Sequence, residues 1–169
     1  MSPSSAIPDF YYAVFGVYEP LLVILSAFGT LIYPKQVHDQ QAPWPRDLPA
    51  QASLPPPTFV TIVQLAHVVG LLGLVNTFML YTARRYLFGQ PAIQERVVSA
   101  LLTPLMLGDV LHLVFTFYAL GDDRWNFGNW KDAGTLWVTV ITGFSLLIPR
   151  LAWHLGIGRY MHSRDRKKA

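Results

Sequence analysis

The chain has 169 residues, of which 52% are apolar and only 14% charged, with a mean hydropathy of +0.33 and a formal net charge of +3. That balance excludes an ordinary soluble domain, and the absence of cysteine excludes disulfides, thiolate catalysis and cysteine-ligated metals. Four stretches are long and apolar enough to cross a bilayer, which takes roughly 20 mostly apolar residues each: about 10–33, 58–83, 97–120 and 133–155. The first is expected to stay in the mature protein. It has no basic n-region, exceeds the length of a signal h-region and precedes no small-residue cleavage site.

Residues 34–57 hold seven prolines and no apolar period, so a luminal loop without helix or strand is expected there. Pro34 should end the first span and Pro57 start the second. The turn "RRYLFGQPAIQER" is short and basic, with Gly89 and Pro91 as breakers, and the last loop, "GDDRWNFGNWKD", is dense in Trp and Asn. The fold class expected is therefore all-α, a single domain over 1–169 built as an integral-membrane antiparallel four-helix bundle.

Four spans put both termini and the turn between spans two and three on one side. That side carries Arg84, Arg85, Arg96, Arg150, Arg159, Arg164, Arg166, Lys167 and Lys168, against Lys35, Arg46, Arg124 and Lys131 on the other. The positive-inside rule then predicts cytosolic termini, with 156–169 as a basic cytosolic tail. The tail end "RDRKKA" is short and lacks aromatic partners, which fits a membrane-surface anchor and excludes a nucleic-acid partner. It also resembles a dilysine-type retrieval signal of endoplasmic-reticulum membrane proteins, with Arg166 where a second lysine usually stands. The location this implies is the endoplasmic-reticulum membrane.

Ionisable groups inside a membrane cost about 2.5–3.5 kcal/mol each on insertion scales, so each requires a reason. At about 1.5 Å of rise per residue, Glu19, His67, Asp109 and His112 all fall in the central slab of the bilayer. Asp109 and His112 share a helix face with Leu105, Gly108 and Thr116. Tyr12, Glu19 and Ser26 recur every seven residues as a second polar seam. Pro20 follows Glu19 directly, so the carbonyl of Gly16 should lose its helical donor and kink the span there. In the second span Gln64 and His67 share a face, whereas Asn76 points to the opposite side, where it could serve helix packing alone.

Two readings follow. Buried polar groups can simply hold membrane helices together. Alternatively, Glu19, Asp109, His112 and His67 form the catalytic set of an apolar cavity, where a carboxylic acid donates a proton and a histidine accepts or relays it. Such chemistry suits an apolar alkene or epoxide. Tyr12, Phe15, Tyr18, Phe115, Tyr118, Trp125, Trp130 and Trp137 offer ring faces to a carbocation, although Trp125, Trp130 and Trp137 also suit an interfacial aromatic belt. The candidate substrate-binding residues are Tyr12, Phe15, Gln64, Asn76, Phe115, Thr116, Trp130 and Trp137. His67, His112, Glu19 and Asp109 are legitimate metal-ligand types, but no HExxH or clustered-histidine spacing occurs, so no metal is expected. Glycine-rich phosphate loops and a GxSxG elbow are missing, and no cofactor is expected.

"YEPLL" at 18–22, Asn76, "GDVLH" at 108–112 and "WNFGNWKDAG" resemble the signatures of a fungal family of small four-helix membrane proteins, itself similar to the EXPERA superfamily. The similarity covers most of the chain except the proline-rich loop and the tail. EXPERA proteins include a sterol isomerase whose membrane-embedded acids and histidine shift a double bond through a carbocation, and others that bind sterols or sigma-type ligands. The resemblance implies a lipophilic ligand between the helices, contacted by Glu19, Asp109 and His112, in a sterol, terpenoid or polyketide pathway of secondary metabolism. The isomerase's acid and histidine arrangement on helix two is not reproduced, since only His67 stands there. The function expected is an isomerase or cyclase, or alternatively a lipid-binding or scaffold protein whose partners are pathway enzymes or a second copy of the chain. A cofactor-free oxygenase of the anthrone type and a small carrier are further alternatives.

Overall fold

The computed structural model describes residues 5–44 and 51–165. Arg46, and Arg166, Lys167 and Lys168 of the retrieval-like tail, lie outside the described residues. Within them the chain is helical and contains no strand. Four helices are long and apolar enough to cross a membrane: Asp9–Ile32, Pro56–Tyr86, Pro91–Ala119 and Gly134–His154. The protein is accordingly a multi-pass membrane protein, and the four are called here the first to fourth spans.

The first span starts after extended Pro8, with Asp9 in its first turn, where the helix dipole favours an acid. Its residues Ala13–Tyr18 wind as a π-helix, so the carbonyl left facing Pro20 is not that of Gly16, as an α-helical register would have it. In that register the Glu19 N–H donates to the carbonyl of Val14, five residues back. The next donor in the series would be Pro20, which has no N–H, so the carbonyl facing the proline is Phe15's. Asn76 of the second span supplies the missing donor, its Nδ2 lying 3.1 Å from that oxygen.

The second span begins at a run of prolines, whose missing N–H groups cost nothing in a first helical turn. Its buried residues, Ala66, Gly73, Asn76, Leu80 and Ala83, fall on one stripe that faces the first span. Packing is close because the stripe is small: a Cβ on Gly73 would lie 3.0 Å from Val23 Cγ1. The third and fourth spans pair in the same way, Gly143 accepting Leu113 at its surface.

Two apolar cores close the ends. At the terminal end Ile7, Tyr11, Phe15, Leu80, Ala83, Val98, Leu102 and Trp153 are buried together. Ser5, Ala6 and Tyr160 are tied over it. Gln94 accepts from Ser5 Oγ and Ala6 N and donates to the Ala83 carbonyl, Trp153 Nε1 donates to the Ala6 carbonyl, and Tyr160 N donates to the Ser5 carbonyl. At the loop end Trp130, Ala133, Leu136 and Val140 are buried with Phe117 and Leu120. Residues 34–57 are not wholly irregular, as Pro34–Asp39 forms a short helix whose first residue is the proline. Leu136 N donates to the Gln40 carbonyl at 2.9 Å and fastens this loop to the start of the fourth span.

Replacing Gly73 by Leu should force the first two spans apart and lower stability by about 1–3 kcal/mol, the usual penalty for overpacking. Gly89, with open space around it, should tolerate the same change, and denaturant unfolding in detergent compares the two. Asp39 offers a pH test. Hydrogen bonding from His38, then from Lys35, holds its carboxyl below the ordinary value of 3.8. A depressed carboxyl contributes stability above that value and loses it as pH falls through the folded-state value. Amide exchange of Gln36 to Gln40 should therefore accelerate at acid pH below the ordinary carboxylate range, and Asp39→Asn should abolish that step.

Candidate functional site

Between the two cores three charged side chains meet. Arg150 of the fourth span donates through Nη2 to Glu19 Oε1 of the first and through Nη1 to Asp109 Oδ2 of the third. Only 1% of the Arg150 side chain and 7% of Glu19 are exposed, against 17% of Asp109. The guanidinium carbon also stands 5.6 Å from the centre of the Phe15 ring. Arg150 is four residues from the end of its helix, about 6 Å of rise. Helical side chains lean toward the N-terminus of their helix, so its long stem carries the charge back into the bundle.

Each neighbour has a local cause. The π-turn and Pro20 set the register of Glu19, and Asn76 anchors that turn while its amide also lies against the Glu19 carboxylate. Behind Arg150, His154 Nδ1 lies 2.8 Å from the Arg150 carbonyl and Nε2 lies 3.1 Å from Thr103 Oγ1. A carbonyl only accepts, so Nδ1 carries the hydrogen, and on a neutral ring Nε2 accepts from Thr103. The cluster has one more carboxylate than cation. Glu19 Oε2, Asn76 Oδ1 and Arg150 Nε are buried there with no hydrogen-bond partner. One further proton on the cluster would balance its charge.

The expected residues divide sharply. Glu19 and Asp109 are brought together, but through Arg150, which was expected among the cytosolic flank charges. Arg159 stays at the terminal end but is buried there, over the Trp153 ring at 3.8 Å and paired with Glu95 at 2.8 Å. His67 and Gln64 are exposed on the outer side of the second span, away from its buried stripe. His112 is also exposed, on the face of the third span that carries Asp109. Depth sets distance along an axis, whereas the small-residue stripe sets which way the helix turns.

Of the expected substrate-binding residues, Phe15 alone lies against Arg150 and Asn76 against Glu19. Tyr12 is covered by Arg84, whose guanidinium carbon is 4.3 Å from its ring centre and whose Nη2 is 2.5 Å from Asp9. Phe115 is 61% exposed, and the Thr116 hydroxyl donates to the His112 carbonyl at 2.7 Å. Trp130, in the loop-end core, meets the more exposed Trp137 edge to face, their ring centres 5.1 Å apart, so they do not form a cage around the charged cluster. Among the described residues no three His, Asp or Glu side chains are grouped to hold a metal. A loop pocket of ≈ 590 Å³ is lined by residues such as Asp39, Trp44, Asp123 and Lys131 and by none of the cluster.

Fold and site together define a small four-span membrane protein with an ionic cluster between its helices. The chain belongs to a family defined by a domain of unknown function, DUF7704, whose model matches residues 4–160. No curated protein and no solved structure matches it.

Replacing Arg150 by Met should destabilise the protein by about 3–5 kcal/mol, since it strands the buried Glu19 and the half-buried Asp109 without their cation. Adding Glu19→Gln and Asp109→Asn to Arg150→Met should restore most of that loss. Unfolding titrations of the single, double and triple variants measure the coupling.

Proposed function

We propose that the protein is a membrane-embedded isomerase or cyclase that acts by acid-base chemistry on a lipophilic substrate. The observation that carries this reading is the Arg150 cluster, in which Asp109 is the partly exposed member. Asp109 is the proton-exchanging group, protonating an alkene carbon or an epoxide oxygen in one step and receiving a proton in the next. Arg150 holds its orientation, and Glu19, behind the guanidinium, adjusts the charge that Asp109 experiences. His112, one turn along the same face, is the acceptor that a substrate seated on Asp109 would meet. A sterol-like, terpenoid or polyketide skeleton fits this chemistry, in keeping with the EXPERA-like motifs. The chain is read as an antiparallel bundle with cytosolic termini in the endoplasmic-reticulum membrane. Arg84, Arg85, Arg96, Arg159 and Arg164 support that orientation after Arg150 is set aside.

The second reading is a non-catalytic lipid-binding or scaffold protein of the same membrane. The mutual pairing of all three charges favours it, since an ion cluster can join helices without moving a proton.

Deletion of the gene in its native host, restored as wild type or as Asp109→Asn at matched protein levels, tests the two. An enzyme should leave an accumulated apolar precursor that wild type clears. Asp109→Asn should reduce that turnover by about 10²–10⁴-fold, the usual contribution of a general acid or base. Rescue by both forms supports the scaffold.

A further inference from the structure

We infer that the cluster is served by a window in the bundle wall at Gly108, Asp109 and His112, through which a non-anionic molecule dissolved in the bilayer reaches Asp109. This deepens the acid-base reading above and rests on it only for what happens after arrival.

Three observations converge. The routes from the two aqueous faces are filled. At the terminal end Phe15, Leu80, Leu102 and Trp153 are buried beneath the tied-down residues Ser5 to Ile7. At the loop end Trp130 and Leu136 are buried over the third and fourth spans. Exposure of the cluster is also one-sided, with Asp109 retaining 17% of its side-chain surface and Arg150 only 1%. Finally, the third span is open beside that carboxylate, since apart from its chain neighbours and its own helix backbone nothing lies within 4 Å of where a Gly108 Cβ would stand.

On a helical wheel the exposed flank of Asp109 adjoins His112 and Gly108, while Leu102 and Leu113 occupy the buried flank. Around the opening Leu111 and Phe115 are exposed and apolar. Such a rim accepts the body of a lipophilic molecule, and Asp109 with His112 meets a single hydroxyl or carbonyl. The surplus carboxylate of the cluster disfavours an anion. The class of ligand is therefore an apolar skeleton with one hydrogen-bonding group.

Carbodiimide labelling tests the window without a known substrate. A protonated carboxyl adds its O–H across a carbodiimide C=N bond to give an O-acylisourea, which rearranges to a stable N-acylurea with no group lost. The purified full chain in lipid nanodiscs is treated with lipophilic dicyclohexylcarbodiimide or with a water-soluble, cationic carbodiimide, and adducts are mapped by mass spectrometry. The lipophilic reagent should modify Asp109 and spare Glu19, and the water-soluble one should leave both unmodified. Gly108→Leu should lower Asp109 modification by roughly tenfold, the factor that about 1.4 kcal/mol of added barrier produces. Gly108→Ala should give a smaller loss, and Gly89→Leu, a matched change at another open glycine, should give none.

Equal modification by both reagents, no Asp109 adduct with the lipophilic one, or unchanged labelling in correctly folded Gly108→Leu and Gly108→Ala would overturn the window. Failure of the metabolic experiment with this labelling intact would remove the enzyme reading and leave the window standing.

Discussion

The arrangement depends on Arg150 reaching two carboxylates from different helices. A guanidinium presents its donors in a planar fork, so it can bond two acceptors at once where an ammonium would act as a single point. In an apolar surrounding neither Glu19 nor Asp109 is tolerated as an isolated anion, and Arg150 is not tolerated alone. Their meeting joins the first, third and fourth spans at one depth. The second span enters through Asn76, which supplies the donor that Pro20 withholds from the Phe15 carbonyl. Each of the four spans thus contributes one polar side chain to a centre enclosed by apolar packing.

The centre is held from both ends by different means. The terminal end is a network of directional bonds in which Gln94, Trp153, Tyr160 and Arg159 fasten otherwise irregular chain to the helices. Backbone groups near the bilayer need partners from the protein itself, and these side chains provide them. The loop end relies on aromatic stacking of Phe117, Trp125, Phe127, Trp130 and Trp137, with Trp130 Nε1 satisfied by the Asp123 carbonyl. The aromatic residues thus serve packing at that end rather than lining the charged cluster.

Legibility in the sequence followed the range of the interaction. Hydropathy and proline placement act over adjacent residues, so the four spans and the breaks between them could be read directly. Glu19 and Asp109 could be singled out because any acid in an apolar run demands explanation. Arg150 escaped because it stands four residues from the end of its span, where a long basic side chain ordinarily snorkels outward to the headgroups. Charge balance was the available signal, as two intramembrane acids require a cation and the fourth span carries one in its apolar run. His67 shares a depth with the acids but stands on the outer side of its span, away from the buried stripe.

The sequence by itself determined that this is a four-span, cysteine-free membrane protein with costly acids in its apolar segments. Local composition governs each of those properties. Only the tertiary structure decided which charges meet, that a π-turn stands before Pro20, and which flank of Asp109 is left open. Those outcomes depend on helix rotation, set by small residues such as Gly73 and Gly143 fitting against neighbours distant in sequence. A linear pattern records the period of a helix, but the partner it faces is selected by contact.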